Sequence, residues 1–541
     1  MNRLTRYLLI GSISALLFLP FLGKVHLFDW DEINFAESAR EMIVTGNYGI
    51  VQIDYKPFWE KPPFFIWMQV VSMKVFGVNE FAARFPDALT GVITLLLLCY
   101  CGRRLSGDRF GTIWVLAYAG SWLPFLYFKS GIIDPVFNLL IFCAIWKLSR
   151  IPCSPFPWRK AAWAGLFLGL AVLTKGPVAI LVCGLVYAVL LIWKKGKGSI
   201  RWNQLLLLAG VTALVTCAWF GYVAAVSGWG LIRDFIAYQV RLFSTPDSTH
   251  GGPFFYHWYV LVIGCFPASV FLLSWVRRNR DQPEWKPGGK DFGLWMGILF
   301  WVVLILFSIV KTKIIHYSSL CYFPLTFLAA VRLKAFLDAG KMPRWVLVVL
   351  GMLGLLIGVA LIGLPLAAMH PGWLATHIAD PFARANLQAR VSWSYADCIY
   401  GLVFLVLLGV GIAAIWRGSL RRGLVLILVT QLALMESVLV EFTPKVEAYS
   451  QGAAIRFYQS LQGRDVYIHV LGYKSYAQLF YGKVMPQANP RQDQEGWLLE
   501  GKIDKPVYFV CKSTSAAHFQ SLPGLTRIGA ENGFVFLERK P

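Results

Sequence analysis

Charge is what this sequence lacks most. Lys, Arg, Asp and Glu make up 15% of its 541 residues, while hydrophobic residues make up 57%. A soluble domain carries about 25% charge, so a chain built from ordinary soluble domains is excluded. Cysteine is sparse and unpaired in pattern. There are ten, with no Cys-x-x-Cys, and Cys99, Cys101, Cys143, Cys183, Cys217, Cys265 and Cys321 fall inside apolar runs. That argues against a disulfide framework or a thiolate metal site and reads as small buried side chains. No repeat of fixed period is evident, which counts against the inverted repeats of many transporters. Aromatics are plentiful, with 39 Phe, 22 Trp and 22 Tyr, which excludes disorder. What remains is a polytopic helical membrane protein.

Apolar segments recur at about 7–27, 81–101, 110–128, 133–149, 161–173, 178–193, 204–226, 256–276, 291–310, 315–331, 345–366, 398–416 and 423–440, thirteen in all. The region 161–193 also reads as one broken helix. Net charge is +22, but the basic residues are scattered between apolar runs, so nucleic-acid binding is not expected. They set topology instead. With the N-terminus inside and the spans alternating, the inside segments hold 25 basic residues against five acidic ones, the bias of the positive-inside rule. No small-residue cleavage site follows the first apolar run, so it is read as a retained helix. An odd number of spans puts the C-terminal tail outside. Two domains are expected: a transmembrane domain over 1–440, with a first outer loop at 28–80, and a small soluble α/β domain over 441–541. In the tail, 465–473, 506–512 and 533–538 read as strands and 446–461 as helix.

Ionisable residues gather on the outer side. In the first loop, Asp31-Glu32-Ile33 opens a stretch that suits an amphipathic helix lying on the membrane, with Ile33, Ala36 and Met42 facing lipid and Asp29 or Asp31 as cap. Trp59-Glu60-Lys61-Pro62-Pro63 follows, its proline pair fixing a non-helical backbone. Asp134, Lys175, Arg241, His250, Lys311, Lys313, His316 and Tyr317 stand at outer ends of helices. Each alone has a bland explanation: a cap, a turn, or a lysine reaching the interface. Together, on one side of a topology drawn without them, they mark a site, because charge near the bilayer is expensive. Cations suit a phosphate and carboxylates suit proton abstraction, which suggests a lipid-phosphate substrate.

These residues resemble the motifs of the bacterial polyprenyl-phosphate-dependent glycosyltransferases, relatives of the protein O-mannosyltransferases and lipid A aminoarabinose transferases. Asp31-Glu32 with Ala36-Glu37-Ser38-Ala39-Arg40-Glu41-Met42 is similar to their opening motif, and Glu60-Lys61-Pro62-Pro63 to their second. Leu173-Thr174-Lys175-Gly176-Pro177, His250-Gly251-Gly252-Pro253 and Lys313-Ile314-Ile315-His316-Tyr317 are similar to three more. The resemblance covers about 28–330. It implies an all-α GT-C fold of about thirteen transmembrane helices in the bacterial inner membrane, with an outer, periplasmic active site. It implies Asp31, Glu32 and Asp134 as catalytic carboxylates, Lys61, Lys175, Arg241, Lys313, His316 and Tyr317 around the donor phosphate, and Glu60 with His250 as ligands of an optional zinc-like divalent metal. Asn34-Phe35 departs from the Arg/Ala-Tyr common in relatives, which leaves donor or acceptor choice open. The implied partners are a polyprenyl-phosphate sugar donor, a lipid A, glycolipid or protein acceptor and the bilayer, with the chain acting as a monomer. The implied reaction is inverting sugar transfer, with Asp31 taking the acceptor proton and an apolar groove free of ionisable residues holding the lipid chain. A polyprenyl-lipid flippase is the rival expectation.

Overall fold

The computed structural model describes residues 2–244, 251–274 and 284–541. It is mostly helical, and each of the thirteen apolar segments is helical over most of its length. The chain begins with α1 (Arg3–Phe18), α2 (Asp31–Thr45), a hairpin of β1 (Gln52–Ile53) and β2 (Lys56–Pro57), α3 (Phe64–Phe76) and α4 (Glu80–Ser106). Then come α5 (Asp108–Ala119), α6 (Trp122–Tyr127), α7 (Asp134–Ser149), α8 (Pro157–Lys175), α9 (Val178–Trp193), α10 (Trp202–Ser227) and α11 (Trp229–Ser244). They are followed by α12 (Tyr256–Gly264), α13 (Ala268–Leu273), α14 (Gly289–Ile309), a 3-10 turn at Ile315–Cys321, α15 (Tyr322–Ala339) and α16 (Arg344–Ala368).

Among the described residues, seven helical stretches are long and apolar enough to cross a membrane by length and composition: Glu80–Ser106, Trp202–Ser227, Gly289–Ile309, Ile315–Ala339, Arg344–Ala368, Tyr395–Trp416 and Leu420–Ala448. The other apolar segments are shorter, broken or carry more charge. The 110–128 run divides between α5 and α6, and 256–276 between α12 and α13. The 161–193 region breaks between α8 and α9 at Gly176, whose φ of +91° suits glycine, followed by a proline that cannot continue the helix.

The loop at 28–80 differs from expectation. α2 does not lie on a membrane surface with one apolar face in lipid. Every residue from Glu32 to Met42 is buried, and Ile33, Ala36 and Met42 are fully enclosed in the protein core. The reason is its neighbours: α3 and the C-terminal segment pack against it, so its charged face is covered as well as its apolar one. Neither expected cap forms. Trp30 holds the N-cap position without a side-chain bond, and Asp29 turns to Ser475.

Beyond α16, short helices α17 (Pro371–His377) and α18 (Pro381–Asn386) lead to α19 (Ile399–Trp416) and α20 (Leu420–Ser437). The tail then forms α21 (Thr443–Ala448), α22 (Gly452–Ser460), β3 (Tyr467–Leu471), α23 (Ala477–Gly482), β4 (Val507–Lys512), β5 (Leu525–Glu531) and β6 (Phe534–Arg539). All three expected strands form. β5 is additional, and its alternation is blurred because most of it is exposed. The sheet order is β3-β4-β6-β5, with β3 parallel to β4 and the other pairs antiparallel. Strand side chains alternate between faces. Val507, Phe509 and Cys511 enclose the tail's own small core, while Val510, Phe534 and Phe536 join the main core of the chain. One face of the sheet is therefore continuous with the helical body.

Candidate active site

Five elements that are distant in sequence deliver polar side chains to one cleft. Lys61 comes from the turn before α3, Asp134 and Asn138 from α7, Lys175 from the end of α8, Gln239 from α11, and Tyr317 and Ser319 from the 3-10 turn before α15. Aliphatic and aromatic residues complete the wall, among them Phe137, Val178 and Phe307.

The chemistry of the cleft centres on Asp134. Its carboxylate is almost fully buried and accepts from Lys175 Nζ at 2.6 Å and from Ser319 Oγ at 3.3 Å. Asn138, one turn further along α7, donates to Ser319 Oγ at 2.8 Å. The Lys175 ammonium also lies over the rings of Tyr317 and Phe137, at 5.2 and 5.7 Å, where ring faces favour a cation. A second lysine, Lys61, adds its field to Asp134 from the Glu-Lys-Pro-Pro turn. Two ammonium groups facing one buried carboxylate leave a surplus positive charge in a cleft with apolar walls, the arrangement that a phosphate needs.

Asp31 adjoins this cluster. It opens α2, is partly exposed, and lies 3.6 Å from Nε2 of His316. The same imidazole senses Asp134, Lys175 and Lys61, so His316 links Asp31 to the cleft. Asp31 thus keeps unused acceptor capacity at the edge of a cationic pocket.

Other expected site residues are engaged elsewhere. Both oxygens of Glu32 are taken. They accept from Arg84 at 2.7 and 3.0 Å and from the backbone N–H of Gly131 and of Phe28. Arg84 also donates to the carbonyls of Leu22, Val25 and His26. Lys313 is buried and donates to the carbonyls of Phe307, Ser308 and Val310, at 3.0, 2.7 and 2.6 Å, closing the end of α14. Arg241 is exposed and sits over Tyr238, whose ring meets Trp59. On the same helix Gln239 donates to the Glu60 carbonyl at 3.4 Å. α11 therefore braces the Glu-Lys-Pro-Pro turn.

His250, the expected metal partner of Glu60, lies outside the described residues. Among the described residues no group of three or more His, Cys, Asp or Glu side chains is gathered as for a metal ion. Glu60 alone makes no binding set.

Several residues of the site carry no recognised motif. Arg84 and Asp87 stand inside the long apolar α4. Asp87 accepts the Ile132 N–H at 2.9 Å while Glu32 takes that of Gly131, so two carboxylates fix the backbone just ahead of Asp134. Their presence in an apolar run was the available signal. Asn138, Gln239 and Ser319 gave none, being ordinary polar residues until the fold brings them together.

Beside this cleft a second cavity lies between the first loop and α10–α11. It is lined by Ile50, Val51, Phe58, Trp59, Trp219, Phe220, Val223, Leu231, Ile232 and Phe235, with no ionisable group. Trp59 lies two residues from Lys61, so the apolar and cationic spaces border the same turn.

Comparisons with known proteins find similar sequences and a similar fold. Residues 60–222 match the family model described as dolichyl-phosphate-mannose-protein mannosyltransferase. The undecaprenyl phosphate-alpha-4-amino-4-deoxy-L-arabinose arabinosyl transferase of Edwardsiella ictaluri is 26% identical over 75% of this chain and 77% of its own length. The protein of the same name from Pectobacterium atrosepticum is 24% identical over 98% of this chain and 97% of its own. The crystal structure of ArnT from Cupriavidus metallidurans bound to undecaprenyl phosphate superposes with a TM-score of 0.77 at 20% identity, covering 99% of this chain and 98% of that one. By sequence the chain is similar to the undecaprenyl phosphate aminoarabinose transferases and, over 60–222, to the dolichyl-phosphate-mannose-protein mannosyltransferase family, and it shares the fold of the solved ArnT.

Proposed function

We propose that this protein transfers a sugar, of the amino-deoxyarabinose class, from undecaprenyl phosphate to lipid A or a related envelope glycolipid. The observation that carries the reading is the meeting of Lys61, Lys175 and Asp134 in one cleft, with Asp31 and His316 at its edge. The donor phosphate lies against Lys61 and Lys175, and the polyprenyl chain follows the apolar cavity beside Trp59.

The bond changes are simple. An acceptor oxygen attacks the anomeric carbon from the face opposite the phosphate. The sugar–phosphate bond breaks, and its electron pair leaves on undecaprenyl phosphate. A phosphate needs no proton to depart, whereas the leaving group of a glycoside hydrolase needs a general acid. One base is therefore enough. Asp31 takes the acceptor proton, His316 orients that carboxylate, and Lys61 and Lys175 stabilise the charge growing on the phosphate in a water-poor space. Asp134 holds Lys175 in place. Glu32 and Lys313 are assigned to the scaffold, because their hydrogen-bonding capacity is already used.

The reading includes sidedness. The N-terminus is cytoplasmic, the thirteen apolar segments form the membrane path, and the cleft and the 441–541 domain are periplasmic. A monomer suffices, since every residue named comes from one chain. The flippase alternative is set aside because the similar proteins are named as transferases.

The test uses purified protein in lipid nanodiscs with radiolabelled undecaprenyl-phosphate aminoarabinose and lipid A. Label on lipid A, identified by mass spectrometry and missing with Asp31→Asn, is the expected result. Label that crosses the bilayer and stays on undecaprenyl phosphate would overturn the reading.

A further inference from the structure

We propose that the end of the helical body opposite the cleft carries a binding site for an anionic phospholipid headgroup, built from Arg104, Lys147, Arg150 and Lys160 on α4, α7 and α8. No step of the transfer reading enters it.

Helix length sets its position. α7 starts at Asp134 and ends beside Arg150, and α8 runs back from Lys160 to Lys175. The two helices pack along each other. About 22–24 Å of helix, at ~1.5 Å per residue, therefore separate these cations from the cleft. In the sidedness proposed above, this end is cytoplasmic. Phe156, Trp158 and Trp163 are exposed around it, as aromatic side chains are at the headgroup level of a bilayer.

Arg150 is the centre. Its guanidinium lies over Trp146 at 4.4 Å, and Nη1 donates to the Pro287 carbonyl at 3.0 Å. Nε and Nη2 are buried and have no hydrogen-bond partner among the described residues. These two atoms form the edge of a guanidinium that grips an oxyanion in two parallel bonds. Elsewhere in the chain the same edge is filled: Arg84 gives it to Glu32, and Arg40 gives it to Glu37. A buried charge with unmet donors is costly, so the Arg150 edge calls for an anion.

The protein supplies none there. The charges that act on Lys160 are Lys147, Arg150 and Arg104, all cations. None of the four has an ion pair among the described residues. The carboxylates of Asp108, Asp291 and Asp338 go instead to Arg6, Arg103, Lys194, Arg109 and Lys334. Nor do helix dipoles account for the arrangement. Lys147 and Arg150 suit the negative end of α7, but Lys160 stands in the first turn of α8, which has no acidic residue and no side-chain cap. A cation there opposes the dipole.

Chemistry names the ligand. The positive-inside bias explains cations on this face, but not their gathering around one unmet guanidinium edge. A phosphodiester offers that edge two oxygens and offsets the surrounding charge. Its acyl chains continue along the exposed aromatics. Phosphatidylglycerol has this chemistry, whereas phosphatidylethanolamine brings an ammonium that the cluster repels. Basic pockets between membrane helices hold anionic headgroups in this way.

The experiment measures lipid binding without a transfer step, so its failure leaves the transferase reading standing. Full-length protein in uncharged detergent is titrated with phosphatidylglycerol and with phosphatidylethanolamine, and bound lipid is counted by native mass spectrometry. Wild-type protein should bind phosphatidylglycerol about tenfold more tightly, the worth of one charge-assisted contact. Arg150→Gln should lose most of that preference. So should Arg104→Gln/Lys160→Gln, which breaks no ion pair and carries the test if Arg150→Gln folds poorly. Arg421→Gln/Arg422→Gln, at an exposed basic pair at the start of α20, should keep the preference within about twofold. Equal losses in the two double variants would mean general attraction to a basic surface and would overturn the inference. An absent preference in the wild-type protein, or one that survives both site variants, would do the same. So would displacement of phosphatidylglycerol by millimolar inorganic phosphate, which would mark a site for the free ion.

Discussion

Two groups of charge stand side by side in this protein, one buried around Arg84 and one at the cleft, and they differ in hydrogen-bond valence. Around Arg84, the ion pair is saturated: Glu32 uses both oxygens and Arg84 reaches three carbonyls. Lys313 is saturated in the same way by three carbonyls. Around the cleft, among the described residues, Asp31 meets only His316 at 3.6 Å, and Lys61 lines the cleft without a direct ion pair. Both groups show the same signal in sequence, ionisable residues at the apolar boundary. Only the count of partners separates scaffold from chemistry. A saturated charge holds backbone, and an unsaturated one waits for a ligand.

The comparison breaks most plainly at Asp31. Asp31→Asn should lower transfer by about 10²–10⁴-fold, the usual worth of a positioned base, with the thermal unfolding midpoint in detergent kept. A variant with near wild-type turnover would sink the assignment. The scaffold should answer in the opposite way. Arg84→Met leaves Glu32 buried without its partner, a loss of about 3–5 kcal/mol. The thermal midpoint should drop sharply and folded yield should fall. A stable Arg84→Met protein lacking only activity would erase the distinction drawn here.

Legibility in the sequence follows the same division. The helical class and the apolar segments could be read because bilayer burial imposes long runs of one composition. Three of the four strands of the tail's sheet were legible through their alternation, whereas exposed β5 was not. The acids and lysines of the cleft were found as a set, because charge near lipid is rare. Their roles were not, since a sequence does not count hydrogen bonds. Glu32 and Asp31 are neighbours of the same kind, and only the arrival of Arg84 from α4 tells them apart. α2 was misread as lipid-facing because its pattern is amphipathic, while its polar face is covered by residues more than 400 positions away, such as the Val484 carbonyl that accepts from Arg40.

Two smaller effects sharpen the division between lysines. Lys61→Gln should reduce kcat/KM by about 10²-fold, as expected for one donor to developing charge, with stability little changed. Lys313→Met should do the reverse. It leaves three carbonyls without their donor and costs about 1–3 kcal/mol, read as a lowered unfolding midpoint, while the donor KM holds. If Lys313→Met raised the donor KM as much as Lys61→Gln does, Lys313 would belong to the cleft after all.

The smallest effect concerns Glu41, a buried carboxyl one turn beyond the Glu37–Arg40 pair. Its two oxygens accept the N–H groups of Asp54 and Tyr55 at 2.7 and 2.8 Å. Those residues turn the β1–β2 hairpin with φ of +57° and +58°, a conformation that costs energy outside glycine, and Glu41 holds it. Burial, and then the charge of Glu37, push the Glu41 carboxyl up to about 9, so at neutral pH it carries a proton. The sign follows from linkage. A carboxyl whose value is higher in the fold than in the open chain binds more protons when folded. Its contribution is complete below its ordinary value of 4.5 and is lost as pH rises towards about 9. Between pH 7 and 9, where few other carboxylates titrate, the wild-type unfolding midpoint should therefore fall more steeply than that of Glu41→Gln. Glutamine cannot ionise; its amide nitrogen cannot accept one of the two N–H groups, so its midpoint starts lower, but its slope carries no titration at this position. Parallel midpoint curves for the two proteins would mean that Glu41 is already charged at neutral pH, and would move it from the saturated scaffold towards the open, unsatisfied class that defines the cleft.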